Sequence, residues 1–230
     1  MKNSIKIKRM VGIAILSAIV IVLQVLSNYV QIGAISITLA LIPIAVGAIL
    51  YGPTAGAILG VLMGLIVLTA PSTQAYFFVN NPAATIFLCL LKTGIAGLVA
   101  GLLFKLFAFF AKKTTSTKKK KALFAAGVIV ATLIIPVINT SLFIGGATLF
   151  FLNSVYGGSA MAIINGVFTT NFLIEFIVSA VLSPAIVTLI KVLVSQNNLG
   201  FTNDFDDFIN DNEENEDVKS NNIEQIIEGE

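Results

Sequence analysis

The sequence predicts an all-α integral membrane protein, a bundle of six transmembrane helices with both the N-terminus and the C-terminus cytoplasmic. Three observations predict it. The 230 residues are 57% hydrophobic and 11% charged, with a mean hydropathy of +0.95, whereas soluble domains carry about 25% charged residues. Charge is segregated: residues 1–203 hold 13 Lys and Arg and a single acid, Glu175, while residues 204–230 hold 11 acids and one lysine, Lys219. Eleven of those 13 basic residues gather at the N-terminus, between Lys112 and Lys121, and at Lys191. Six crossings put all three groups on one side, which the positive-inside rule makes cytoplasmic.

The chain divides into a basic cytoplasmic N-terminus (1–10), a six-helix membrane domain (11–195) and an acidic cytoplasmic tail (196–230). Lys2, Lys6, Lys8 and Arg9 precede an apolar run from Val11 to about Leu26. That run is long, and no small-residue cleavage site follows it, so it reads as a retained first helix rather than a signal peptide. Asn28–Gly33 is expected to be an outer loop. The second helix, about 37–50, contains Pro43 and is short for a span that needs about 20 apolar residues.

Gly52-Pro53 then marks a corner, because proline suits the first turn of a helix. Beyond it glycines recur at 52, 56, 60 and 64. On a helix that period stacks them into one stripe where a second backbone can approach closely. Whether the stripe packs within the protein or forms a sliding, docking face is open from sequence alone. Pro71–Pro82 is a polar outer loop carrying Tyr76, Asn80 and Asn81. The fourth helix, about 83–110, holds Lys92 and a second small-residue pair, Gly97 and Gly101. The fifth, about 122–144, contains Pro136 and ends on Asn139, Thr140 and Ser141. Residues 145–160 are expected as an outer loop or a short interfacial helix. A last apolar segment, about 161–194, holds Asn165, Asn171 and Glu175 and is interrupted by Pro184. The tail, poor in aromatic residues and rich in acids, is expected to be disordered.

Composition also excludes chemistry. The chain has no His and one Cys, Cys89, which removes disulfides within the chain, His-based metal sites and Cys/His nucleophile pairs. Cys89 lies in an apolar run and is expected to be packing. No phosphate-cradling G-x-x-x-x-G-K-[ST], no H-E-x-x-H and no G-x-S-x-G occurs. An enzyme is not expected, nor a nucleic-acid partner, and any ATP-driven work requires a separate ATPase polypeptide.

Against that background, three stretches resemble a known family. They are the string Leu41-Ile42-Pro43-Ile44-Ala45-Val46-Gly47-Ala48-Ile49-Leu50-Tyr51-Gly52-Pro53-Thr54-Ala55-Gly56-Ala57, the A-x-x-x-A pair Ala14 and Ala18 on the first helix, and Asn80-Asn81-Pro82 leading into Leu91-Lys92-Thr93-Gly94. Together with six short helices, they resemble the substrate-binding S component of energy-coupling factor (ECF) transporters, over about residues 5–194. The resemblance implies a plasma-membrane subunit that binds a small water-soluble vitamin or related micronutrient from outside. It also implies a transmembrane coupling subunit and two cytoplasmic ATPases as partners, with Ala14 and Ala18 as the docking pair. Among carboxylate-bearing vitamins pantothenate is the candidate, with riboflavin, folate and cobalamin-related compounds left open.

Lys92 and Glu175 are expected to form the heart of the binding site, since an ionised side chain at a helix centre costs about 2.5–3.5 kcal/mol unless it has a partner or a wet cavity. Asn171 lies one helical turn before Glu175 and shares its face. In this reading Lys92 meets a ligand carboxylate, Glu175 and Asn171 orient it, and Asn139, Asn80, Asn81 and Tyr76 close a polar lid. Two alternatives stay open here: a Lys92–Glu175 salt bridge that only fixes helix packing, and a stand-alone secondary transporter using the same pair for proton coupling.

Overall fold

The computed structural model describes residues 2–29, 31–32, 35–36, 38–159, 161 and 172–195. Six helices dominate them: α1 (Lys2–Tyr29), α2 (Leu41–Tyr51), α3 (Pro53–Val67), α4 (Pro82–Lys112), α5 (Thr117–Phe151) and α6 (Leu173–Ser195). A two-residue antiparallel ladder, Gln31–Ile32 with Ile35–Ser36, follows α1, and a π-helical turn, Thr73–Phe78, precedes α4. Asn171, Asn165 and the acidic tail lie outside the described residues.

Four helices, α1, α4, α5 and α6, are long and apolar enough to cross a membrane. At 11 and 15 residues, α2 and α3 fall short of about 20 by themselves. α2 is apolar all round, which marks a helix enclosed by others. Leu41 and every residue from Pro43 to Tyr51 are buried, and Ile44, Ile49 and Leu59 join Val20, Phe104, Ile135 and Ile190 in one core. At the corner, Gly52 has φ 89° and ψ 178°, a conformation that side-chain-bearing residues rarely adopt. Pro53 follows as the first residue of α3.

The glycine stripe packs inside the protein. A Cβ at Gly56 would overlap the Gly97 carbonyl, one at Gly60 the Thr93 carbonyl, and one at Gly64 would lie 2.6 Å from the Cys89 carbonyl oxygen. From the other side, a Cβ at Gly101 would lie 2.6 Å from the Pro53 Cα. The stripe on α3 and the Gly97/Gly101 pair on α4 are therefore two halves of one backbone-to-backbone seam. It leaves no sliding face on that side.

Two boundaries differ from the sequence reading. Helix α5 continues through 145–151 instead of giving way to a loop or a separate interfacial helix. Gly145 and Gly146 are helical residues, and a Cβ at Gly146 would collide with the Leu88 side chain. Only Leu152–Gly158 form turns, with positive φ at Gly157 and Gly158. The lysine-rich segment is likewise less of a loop than expected, because Lys118–Lys121 already lie in the first turns of α5.

Two polar contacts tie α1 to the α2–α3 corner and to the far end of α3. The Arg9 guanidinium donates to the Tyr51 carbonyl beside the Gly52 corner. At the other end the Asn28 amide donates to the Ile66 carbonyl at 3.1 Å. The α4–α5 pair closes through an edge-to-face contact of Phe104 and Phe124, with centroids 5.8 Å apart.

Candidate functional site

At the end of the bundle where α1 and α3 finish, the helices part around a cavity with about 160 Å³ of space open to water. The cavity is not sealed, so a ligand larger than that volume can extend through its mouth. α1 contributes Gln24, Ser27 and Asn28, α4 contributes Thr85, Cys89 and Lys92, α5 contributes Asn139, Thr140 and Phe143, and α6 contributes Glu175. Thr38, Met63, Thr73 and Phe77 complete much of the wall. In a chain this apolar, that concentration of polar side chains in one cavity is the feature to explain, since buried polar groups without partners are costly.

Glu175 and Lys92 both line the cavity. Glu175 is 6% exposed. Thr38 and Asn139 turn hydrogen-bonding groups toward its carboxyl, and Lys92 is near enough to act on it electrostatically. Even so, the two charges make no contact ion pair within 4.0 Å. The Lys92 ammonium instead lies 4.8 Å from the centroid of the Phe143 ring, a cation–π arrangement. The pair is thus arranged around the cavity, without closing on itself.

The hydrogen bonds on α1 form an ordered chain. Gln24, Ser27 and Asn28 sit at i, i+3 and i+4, which puts them on one face. A carbonyl such as that of Ile66 can only accept, so the Asn28 atom facing it at 3.1 Å is the amide nitrogen. The Asn28 oxygen must then face Gln24, whose Nε2 donates to it at 2.8 Å. The backbone thereby fixes both amide orientations and leaves Gln24 Oε1 turned away. That atom and Asn139 Oδ1 are the buried side-chain oxygens without a hydrogen-bond partner among the described residues. Several hydroxyls nearby are committed to their own helices: Ser27 donates to the Leu23 carbonyl and Thr85 to the Asn81 carbonyl, each at 2.8 Å. The cavity wall thus holds Lys92 and Glu175 together with two amide residues, Gln24 and Asn139, each of which keeps one oxygen buried without a hydrogen-bond partner.

Tyr76, Asn80 and Asn81 do not line this cavity. Tyr76 is 62% exposed. Asn80 is exposed and its amide donates to the Tyr76 carbonyl at 2.8 Å. Asn81 caps α4, its side-chain oxygen accepting from the Ala84 N–H at 3.1 Å, and Pro82 follows at the first helical position. Asn171 lies outside the described residues. Ala14 and Ala18 are both exposed on α1, remote from the cavity residues of that helix. Cys89 is buried and contributes to the cavity wall. Sequence reasoning missed Gln24, Ser27, Asn28 and Thr38. For the three on α1, the available signal was three polar residues at helical spacing inside an apolar run.

A model of the ECF transporter substrate-specific component family matches residues 8–187. Among solved structures, ThiT from Listeria monocytogenes aligns with a TM-score of 0.54 at 18% identity, over 79% of this chain and 98% of that one. A likeness at that identity shows a shared fold. No curated protein matches the chain. With the family model spanning most of the membrane part, the chain belongs to the substrate-specific components of ECF transporters, a family of multi-pass membrane-embedded transporter subunits and not of enzymes.

Proposed function

We propose that this chain captures a small carboxylate-bearing micronutrient, with pantothenate as the named candidate, and delivers it to an ATP-driven importer. Its partners in that importer are a transmembrane coupling subunit and two cytoplasmic ATPases. The observation that carries this reading is the polar cavity in an otherwise apolar bundle, where Lys92 and Glu175 share the wall without a contact ion pair. Lys92 meets the ligand carboxylate, while Glu175 and Asn139 orient its polar groups. Asn171 is proposed to orient the ligand with Glu175, and Tyr76, Asn80 and Asn81 to close a lid over it.

A charge-assisted hydrogen bond in a buried site contributes about 1.5–3 kcal/mol. Lys92→Met is therefore expected to weaken equilibrium binding of labelled pantothenate by about 10- to 100-fold while the protein still folds. Glu175→Gln keeps the hydrogen-bonding shape and is expected to cost less. Unchanged binding in Lys92→Met would remove the carboxylate from the reading. The position of Lys92 over Phe143, out of contact with Glu175, favours a second reading in which Glu175 holds a cationic ligand. In that case the order of the two effects reverses.

We also propose that all six helices cross the bilayer with both termini cytoplasmic. Arg9, which bonds to the last residue of α2 beside the corner, and Asn28, which bonds to Ile66 near the end of α3, are 19 residues apart on α1. At 1.5 Å per residue they are about 28 Å apart, close to the thickness of a hydrocarbon core. α3 itself, at 15 residues, rises about 22 Å, so its flanking residues complete the span. Single cysteines introduced in a Cys89→Ala background are expected to react with a membrane-impermeant reagent from outside at Gln74 and from inside at Ser116. Outside labelling at Ser116 would overturn this topology.

A further inference from the structure

Resting on the binding site proposed above, we infer that Phe143 is a positioning residue. Its ring holds the Lys92 ammonium off Glu175 and so keeps the cation open to an anionic ligand.

The need for such a residue follows from the two charges. Lys92 on α4 and Glu175 on α6 line one cavity inside an apolar bundle, where opposite charges attract far more strongly than in bulk water. A lysine stem is long and flexible, so contact is the expected outcome unless another group competes. A closed pair would consume the charge that the ligand needs. The structure keeps the pair open beyond 4.0 Å, and α5 supplies both groups that do so. Asn139 and Phe143 lie one helical turn apart on α5 and share a face. Asn139, with Thr38, turns a hydrogen-bonding group toward the Glu175 carboxyl. One turn on, the Phe143 ring takes the ammonium at 4.8 Å from its centroid. A ring face attracts a cation without neutralising it.

The ring is itself braced. Phe77 meets Phe143 edge-to-face, with centroids 5.6 Å apart, and meets Phe151 in the same way at 5.2 Å. Phe151 is fully buried, so the three rings anchor Phe143 to the core. The Lys92 ammonium makes no hydrogen bond among the described residues, yet it keeps surface open to the cavity. A ligand carboxylate can therefore meet it without displacing a hydrogen-bonded partner.

The test uses the purified full chain and two readouts. The first needs no ligand: a zero-length carbodiimide joins an amine to a carboxylate in contact with it, and mass spectrometry measures the Lys92–Glu175 cross-link. Phe143→Tyr keeps the ring face and is expected to match wild type, while Phe143→Leu raises the yield roughly tenfold. Equal yields in all three proteins would overturn the inference.

The second readout is equilibrium binding of labelled pantothenate. Phe143→Leu is expected to weaken it about tenfold, and Phe143→Tyr less than about twofold. In a Glu175→Gln background no carboxylate remains to capture Lys92, so Phe143→Leu is expected to cost less than about twofold there. An equal loss in both backgrounds would show that the ring only packs against the ligand or the helices, and would overturn the inference. If Phe143→Leu does not fold, Phe143→Met carries both readouts. If wild type binds no pantothenate, that ligand reading fails, and the cross-link yield alone decides whether the ring holds Lys92 away.

Discussion

Gly60→Leu is expected to prevent accumulation of folded protein in the membrane. At Gly60 even a Cβ would overlap the Thr93 carbonyl, with the Gly94 Cα 3.1 Å away. The obstruction is backbone, so a rotamer change cannot relieve it. Inserting methylenes into a packed core costs about 1–3 kcal/mol when side chains can move; here α3 and α4 must separate. That movement would open the seam formed by Gly56, Gly64, Gly97 and Gly101 and shift Lys92, one residue before Thr93. Detergent-extracted Gly60→Leu should be aggregated by size-exclusion chromatography. Gly145→Ala, where nothing lies within 4 Å of the added carbon, should behave as wild type. A monodisperse Gly60→Leu that binds ligand normally would contradict the seam.

A comparably large loss, confined to transport, is expected from Ala14→Trp or Ala18→Trp. Both alanines are exposed on α1, whereas Gly12 packs against Tyr51 and Val20 is fully buried on the other side of the same helix. A tryptophan at either position therefore projects outward and leaves the bundle and its cavity undisturbed. If this outer strip docks the coupling subunit, the indole fills the shallow groove that a partner helix would enter. ATP-driven uptake should be abolished while the dissociation constant of the isolated subunit stays the same. Normal uptake in both variants would move the docking surface elsewhere, and a parallel loss of binding would show that the strip supports the cavity.

Features repeated along one helix were legible in the sequence. The four-residue glycine period signalled close backbone approach, and Gly52-Pro53 signalled a corner, because each demands a particular residue type at a particular place. Gly145 and Gly146 were misleading for the same reason: glycine reads as punctuation, but at Gly146 it makes room for a side chain from another helix. A contact of that kind leaves no local trace.

The site was legible only where charge exposed it. Lys92 and Glu175 are conspicuous in an apolar body, and Asn139 opens a polar trio. Gln24 was hidden inside the first apolar run, since one amide in a hydrophobic helix barely alters its periodicity. Tyr76, Asn80 and Asn81 drew attention as polar residues of a loop. Their local backbone geometry explains much of that polarity: Asn81 caps a helix, and Asn80 satisfies a turn carbonyl.

The most direct test of a capture subunit dependent on an ATPase module is uptake by reconstituted vesicles. Proteoliposomes would carry this chain alone, or this chain with its coupling subunit and ATPases, with labelled pantothenate outside and ATP inside or withheld. The predicted result is saturable binding without accumulation for the chain alone, and accumulation only when the full module and ATP are present. Accumulation by the chain alone, driven by an imposed proton gradient and lost in Glu175→Gln, would contradict it and establish a stand-alone carrier.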